Sequence, residues 1–276
     1  MTQVDRAGIV GVGRMGRAMA RHLMAGGFAV VAADNDREAL SAVAKLGAET
    51  ADSPATLAAS CNVVFIAVGF DAEVEAVCHG VDGIFQSARP GTVVIVNSTV
   101  SVELVQRLAD EAGALGLRFL DIPIARGRPA AEAGTLLALV GGDGAVLEDV
   151  RPMLETFCSD ISHLGEIGHG QVAKAINNLL LWISGVGLME AGRLAEGTGI
   201  DLPKLRDAML MSSGQSWALE NWGSVTFTWA LKDMQLLLDM CDRAGESFPM
   251  TGLVKELVKD GRESKLRGDA PGWTKD

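Results

Sequence analysis

The stretch that most limits how this chain can fold is "AGIVGVGRMGRAMARHLMAGGFAVVAAD". Its first apolar residues predict a short buried strand, "RMGRAMARHLMAGG" an amphipathic helix closed by Gly26 and Gly27, and "FAVVAAD" a second strand. At the first junction, Gly11-Val12-Gly13-Arg14-Met15-Gly16 fits G-x-G-x-x-G, and Asp34 ends the second strand about 20 residues on. The glycines alone are a weak signal. With a strand before them, a helix after and the acid at that distance, they mark a dinucleotide-binding βαβ unit. Gly11 permits the tight turn, Gly13 lets backbone approach a pyrophosphate, and Gly16 lets helix and strand pack closely. The helix N-terminus then offers free N–H groups and a partial positive charge to the phosphates. Asp34 can accept hydrogen bonds from both adenosine ribose hydroxyls and would repel a 2′-phosphate, so NAD is favoured over NADP. Arg37 is close enough to temper that preference.

The same rhythm continues. "NDREALSAVAKLGAE" predicts a second helix, and "CNVVFIAVG", "GTVVIVNST", "GLRFLDIPI" and "TLLALVGG" predict further apolar strands. The fold class expected is α/β, a Rossmann-type, mostly parallel, doubly wound sheet followed by an all-helical domain. Ligands of such sheets bind beyond the carboxyl ends of the strands, so Ala67, Val68, Ser98 and Thr99 are either walls of the cofactor cleft or ordinary loop starts. From about Gly168 the strand signals stop. "QVAKAINNLLLWISGVGLMEAGRLAEGTG" predicts a long helix, apolar on most faces, and further helices cover "DLPKLRDAMLMSS", "TWALKDMQLLLDMCDRAGE" and "MTGLVKELVKDGRES". The expected division is a dinucleotide-binding domain over 1–164 and a helical domain over 165–276.

Composition narrows the classes of function. A formal net charge of −11 argues against a general nucleic-acid binder, although a local basic pocket could hold a small anion. The four cysteines are far apart and form no ligand cluster with the four histidines, so neither a disulfide framework nor a metal site is expected. There is no signal-peptide pattern, and the apolar run Leu179 to Met189 is too short for a bilayer of roughly 30 Å. A cytoplasmic enzyme or binding protein without membrane partners fits best.

"GHGQVAKAINNLLLW" puts a lysine and two asparagines at the head of that apolar helix. Lys174 and Asn178 are four apart and share a face, with Asn177 beside them. A buried lysine is costly unless it has partners or works, and burial lowers its pKa toward neutrality, where it can give and take a proton. The alternative is a lysine snorkelling to solvent beside asparagines that bridge helices.

These motifs together resemble the β-hydroxyacid dehydrogenases over nearly the whole chain. "GVGRMGRAMARHLMAGG" is similar to that family's cofactor fingerprint and "GHGQVAKAINN" to its catalytic G-x-G-x-x-x-K-x-x-N-N motif. "DIPIARGRPAAEAGTL" is similar to its substrate motif and "ALKDM" to a later lysine–aspartate element. The resemblance implies an active site between a Rossmann domain and a helical domain that binds substrate and oligomerises, as a homodimer or homotetramer. It implies Lys174 as general acid/base, Asn178 with Asn177 as substrate-binding residues, and Lys232 near the cofactor or substrate pocket.

The substrate motif departs from the family's usual D-x-P-V-S-G-G, reading Asp121-Ile122-Pro123-Ile124-Ala125-Arg126-Gly127. At Ala125 a hydroxyl donor is lost, and at Arg126 a guanidinium is gained, whose planar fork suits carboxylate, sulfonate or phosphate. In this loop the chain also resembles sulfolactaldehyde reductases. Arg126 with Ala125 and Gly127 is therefore expected to meet the substrate, unless Arg126 instead pairs with an acid such as Glu132; Arg128 is a competing anion binder. The expectation is an NAD-dependent oxidoreductase interconverting a small anionic 3-hydroxyacid, or hydroxysulfonate, and its aldehyde. The alternatives are an imine reductase-like enzyme and a catalytically silent dinucleotide-binding scaffold, both disfavoured by the presence of Lys174.

Overall fold

The computed structural model describes residues 5–274. The chain forms two compact units, divided between Lys174 and Ala175. The first carries β1 (Arg6–Val10), α1 (Arg14–Ala25), β2 (Ala29–Ala33), α2 (Arg37–Ala44), β3 (Glu49–Thr50), α3 (Pro54–Ser60), β4 (Val63–Ile66) and α4 (Asp71–His79). It continues with β5 (Val93–Val96), α5 (Val102–Ala114), β6 (Arg118–Asp121), β7 (Ile124–Ala125), α6 (Gly127–Ala133), β8 (Leu136–Gly142), α7 (Gly144–Leu154) and β9 (Cys158–Gly165). Strand order is β3-β2-β1-β4-β5-β6-β8-β7, with β9 on β8. The strands from β3 to β6 are parallel, β8 runs antiparallel to β6 and β7, and β9 runs parallel to β8. Successive strand residues feed opposite layers, as a sheet covered on both faces requires. Ile9, Phe65 and Ile95 pack with Met19 and Leu23 of α1 and Val150 of α7. Val10, Ile66 and Val96 pack with Leu57 of α3 and Leu108 of α5. The order reverses at β1, with β2 on one side and β4 on the other, and that switch point is where a doubly wound sheet opens its ligand crevice.

α8 (His169–Glu196) begins in the first unit and continues into the second, which also holds α9 (Leu202–Leu210), α10 (Trp217–Glu220), α11 (Ala230–Ala244) and α12 (Pro249–Arg267). The sequence places a domain boundary at 164/165; the contacts divide the chain inside the first turns of α8, and the outermost residues of both expected domains lie outside the described residues. By length and composition α8 as a whole is long and apolar enough to cross a membrane, more than its central run suggested. Its apolarity has a local use: Trp182, Val186 and Met189 are buried with Trp222, Phe227, Met234 and Val258 in the core of the second unit. Asp201 caps α9, accepting from the backbone N–H of Lys204 at 2.9 Å.

Candidate active site

The turn from β1 into α1 is built as the glycine pattern predicts. Gly11 has φ +90°, and a Cβ there would lie 2.7 Å from the carbonyl oxygen of Ala67, so the turn after β1 closes directly on the turn after β4. A Cβ on Gly16 would come within 2.0 Å of the Gly11 carbonyl oxygen, which is the close helix–strand packing that needs glycine. At Gly13 a Cβ would meet nothing within 4 Å, and no side chain caps α1 there. Bare backbone thus faces open space at a helix N-terminus, which fits a pyrophosphate. Arg14 is exposed and Met15 half-buried on the first turn, while Val12 is buried. Asp34, half-buried, accepts from the Val12 N–H at 2.6 Å and the Asp36 N–H at 2.8 Å, which ties the acid at the end of β2 to the glycine loop.

Ser98 joins two of the predicted cleft walls. Its hydroxyl accepts from the Val68 N–H at 3.0 Å and donates to the Ile66 carbonyl at 3.3 Å, holding the turn after β4 against the turn that carries Ser98 and Thr99 after β5.

The start of α8 is fixed at the same edge of the sheet. Asp121, last residue of β6 and fully buried, accepts from the Gly168 N–H at 2.8 Å and the Gln171 N–H at 2.9 Å. A carboxylate from a strand therefore caps a helix that follows it by nearly fifty residues, meeting the helix's positive end. Burial pushes the Asp121 carboxyl up to about 6, against the pull of those two backbone donors. The approach is possible because of two glycines: a Cβ would lie 2.3 Å from the Asp121 carboxylate at Gly141 and 2.7 Å from it at Gly170. Gln171, 2% exposed, spans to the turn after β5, accepting from the Val100 N–H at 3.1 Å and donating to the Ser98 carbonyl at 2.9 Å. Lys174 follows one turn later and is half-buried. Gln171 and the capping role of Asp121 are invisible in the local sequence, because their partners lie dozens of residues away.

Further along α8, in the second unit, Asn178 is buried and its Oδ1 accepts from Asn177 Nδ2 at 3.1 Å. On α11, Lys232 is half-buried with its Nζ 5.9 Å from the Trp229 ring centre. Its neighbour Asp233 is buried and accepts from Trp182 Nε1 at 3.0 Å, bonding α11 to α8.

The substrate loop holds an unexpected backbone. Arg126 has φ +82°, the left-handed region that glycine adopts freely and a residue bearing a Cβ resists. Its guanidinium pairs with Asp160, not with Glu132: Nη1 donates to Asp160 at 2.6 Å, Ser159 Oγ at 2.9 Å and the Thr135 carbonyl at 3.1 Å. Glu132 instead lies 3.7 Å from Arg128 Nε and 3.5 Å from Arg21. Ala125 is buried beside it and Gly127 is exposed at the start of α6.

Both parts of the chain match known families. Residues 6–165 match the model for the NAD binding domain of 6-phosphogluconate dehydrogenase, and residues 168–270 match that for the NAD-binding domain of NADP-dependent 3-hydroxyisobutyrate dehydrogenase. The chain is 31% identical to 2-(hydroxymethyl)glutarate dehydrogenase of Eubacterium barkeri, covering 96% of this chain and 92% of that one. It is 35% identical to the NAD-dependent L-serine dehydrogenase of Pseudomonas aeruginosa, covering 91% and 90%. Among solved structures, 3-hydroxyisobutyrate dehydrogenase of Mycobacterium tuberculosis with L-serine superimposes with a TM-score of 0.84 at 27% identity, over 97% and 95% of the two chains.

Proposed function

Because the chain belongs to the β-hydroxyacid dehydrogenase family, and so is an NAD(P)-dependent oxidoreductase acting on CH–OH groups, we propose that it interconverts a small anionic 3-hydroxyacid, or hydroxysulfonate, and its aldehyde, with Lys174 as general acid/base and NAD as the preferred cofactor. The observation that carries this proposal is the anchoring of α8: Asp121 and Gln171 hold its first turn at the carboxyl ends of β5 and β6, and Lys174 stands one turn away, roughly 4.5 Å along the helix axis. That is the edge of the sheet where a doubly wound fold binds its ligands.

A nicotinamide cofactor held there would supply the hydride chemistry at the substrate carbon. The chain's own residues do the rest. Gly13 and the open N-terminus of α1 receive the pyrophosphate, and Asp34 sits at the end of β2 for the ribose hydroxyls. Lys174 takes the hydroxyl proton in oxidation and returns it to the carbonyl oxygen in reduction. Asn178 shares its face, and because its Oδ1 is taken by Asn177, its amide is oriented to donate to a substrate oxygen. Arg126 supports an anionic substrate. Its bonds to Asp160, Ser159 and Thr135 all use Nη1, which leaves the Nε–Nη2 edge as the fork for a carboxylate or sulfonate.

The test is turnover of C3–C5 hydroxyacids, L-serine and dihydroxypropanesulfonate with NAD and with NADP, for the native protein and Lys174→Ala. Lys174→Ala is expected to lose roughly 10²–10⁴-fold in kcat with NAD binding retained, and NAD is expected to give the higher kcat/KM. Near-native kcat in folded Lys174→Ala would remove the proposed acid/base.

A further inference from the structure

Gln171 is buried, yet each end of its side-chain amide is used on backbone of another element. An apolar residue there would leave the Val100 N–H and the Ser98 carbonyl without these partners, so the position needs a donor and an acceptor on one planar group. The bonds run on in both directions. Ser98 holds Val68 through its hydroxyl, and the Gln171 backbone N–H is held by Asp121. One hydrogen-bonded path therefore joins the turns after β4 and β5, the end of β6 and the first turn of α8. Gln171 is its junction and stands three residues before Lys174, on a neighbouring part of the same helix surface.

We propose that Gln171 is a positioning residue for Lys174: by clamping the first turn of α8 to Ser98 and Val100, it sets the distance between the Lys174 amine and the cofactor-facing turns. This rests on Lys174 being the general acid/base. Displacement of a reacting group by about 1 Å can cost on the order of 10²-fold in rate, so a clamp of this kind acts on kcat without touching substrate.

The experiment measures oxidation of 3-hydroxyisobutyrate or L-serine, whichever is turned over faster, by four proteins: native, Gln171→Met, Lys174→Ala and the double variant. Gln171→Glu is a fifth protein, which keeps the size and the acceptor for Val100 but sets a carboxylate oxygen against the Ser98 carbonyl. Gln171→Met and Gln171→Glu are expected to lower kcat and kcat/KM together by roughly ten- to a hundredfold. In the Lys174→Ala background Gln171→Met is expected to change the residual rate by less than about twofold, since its effect passes through the lysine. The same loss in both backgrounds would give Gln171 a structural role independent of Lys174 and overturn the proposal. So would native kcat in either folded variant, or failure of both to fold. Full turnover by Lys174→Ala alone would instead strike the acid/base assignment, which separates the two failures.

Discussion

Arg126 keeps a left-handed backbone at φ +82° where glycine would sit without strain. Strain of that kind, held in a loop beyond a strand end, points from the outlier to a use for the side chain. The stability and the function of this residue are expected to separate. Arg126→Ala and Arg126→Gly both remove the guanidinium, so both should lose about ten- to a hundredfold in kcat/KM for anionic substrates and little for neutral alcohols. Only glycine relieves the backbone, so Arg126→Gly should be the more stable of the two by about 1 kcal/mol. Equal losses on charged and neutral substrates would assign Arg126 to its Asp160 ion pair alone. Asp121 makes a second prediction at this scale. Its carboxyl is pushed up to about 6 in the fold from an ordinary 3.8, so between those values the native state holds more protons than the unfolded one. Stability contributed by this group therefore falls as pH rises from about 4 to about 6, by roughly 3 kcal/mol in all. The melting temperature of the native protein should drop relative to Asp121→Asn across that window; parallel curves would show an ordinary carboxylate.

The elements that were legible in the sequence are those whose cause is local. The β1–α1–β2 unit announces itself through period, glycine spacing and Asp34, and α9 through Asp201. β7 and β9 do not. β7 is two residues long just after Pro123, and most of β9 is exposed or half-buried, so neither offers an apolar alternation to read. The site divides in the same way. Lys174, Asn177 and Asn178 stand out as polar residues heading an apolar helix, whereas the docking of that helix depends on Asp121 and Ser98, which no local pattern links to it. The glycines of "GHG" gain their meaning only from that docking. Gly168 has φ +96°, and a Cβ on Gly170 would lie 2.6 Å from the Leu139 carbonyl oxygen as well as 2.7 Å from Asp121. Gly170→Ala should therefore push the first turn of α8 off β6 and lower kcat by on the order of 10²-fold, while NAD affinity, set at Gly11 to Gly16, changes little. Native kcat with Gly170→Ala would mean that the helix absorbs a methyl group without moving Lys174.

At the scale of the whole molecule, the large apolar side chains left exposed lie mostly beyond Lys174, among them Leu180, Leu194, Met250, Leu253 and Leu266. On α8, Ile176, Leu180 and Leu194 are 50%, 60% and 75% exposed. Leu180 is one turn from Ile176, and the 18 residues from Ile176 to Leu194 are five turns at about 3.6 residues each, so the three form one stripe. Burying a leucine stabilises by roughly 1.5–3 kcal/mol, and a second copy of this chain would offer the same stripe in return. The formal charge of −11 on each copy opposes association, more strongly at low salt than near physiological ionic strength, where the screening length is about 8 Å. The expected state is a homodimer or homotetramer that tightens as salt rises. Light scattering after size exclusion, at low and near-physiological ionic strength, should read a multiple of 28.9 kDa. Leu180→Glu combined with Leu194→Glu should bring that mass down toward a single chain without loss of helical circular dichroism. A native protein that stays monomeric at both salt concentrations would leave the stripe on α8 without this partner.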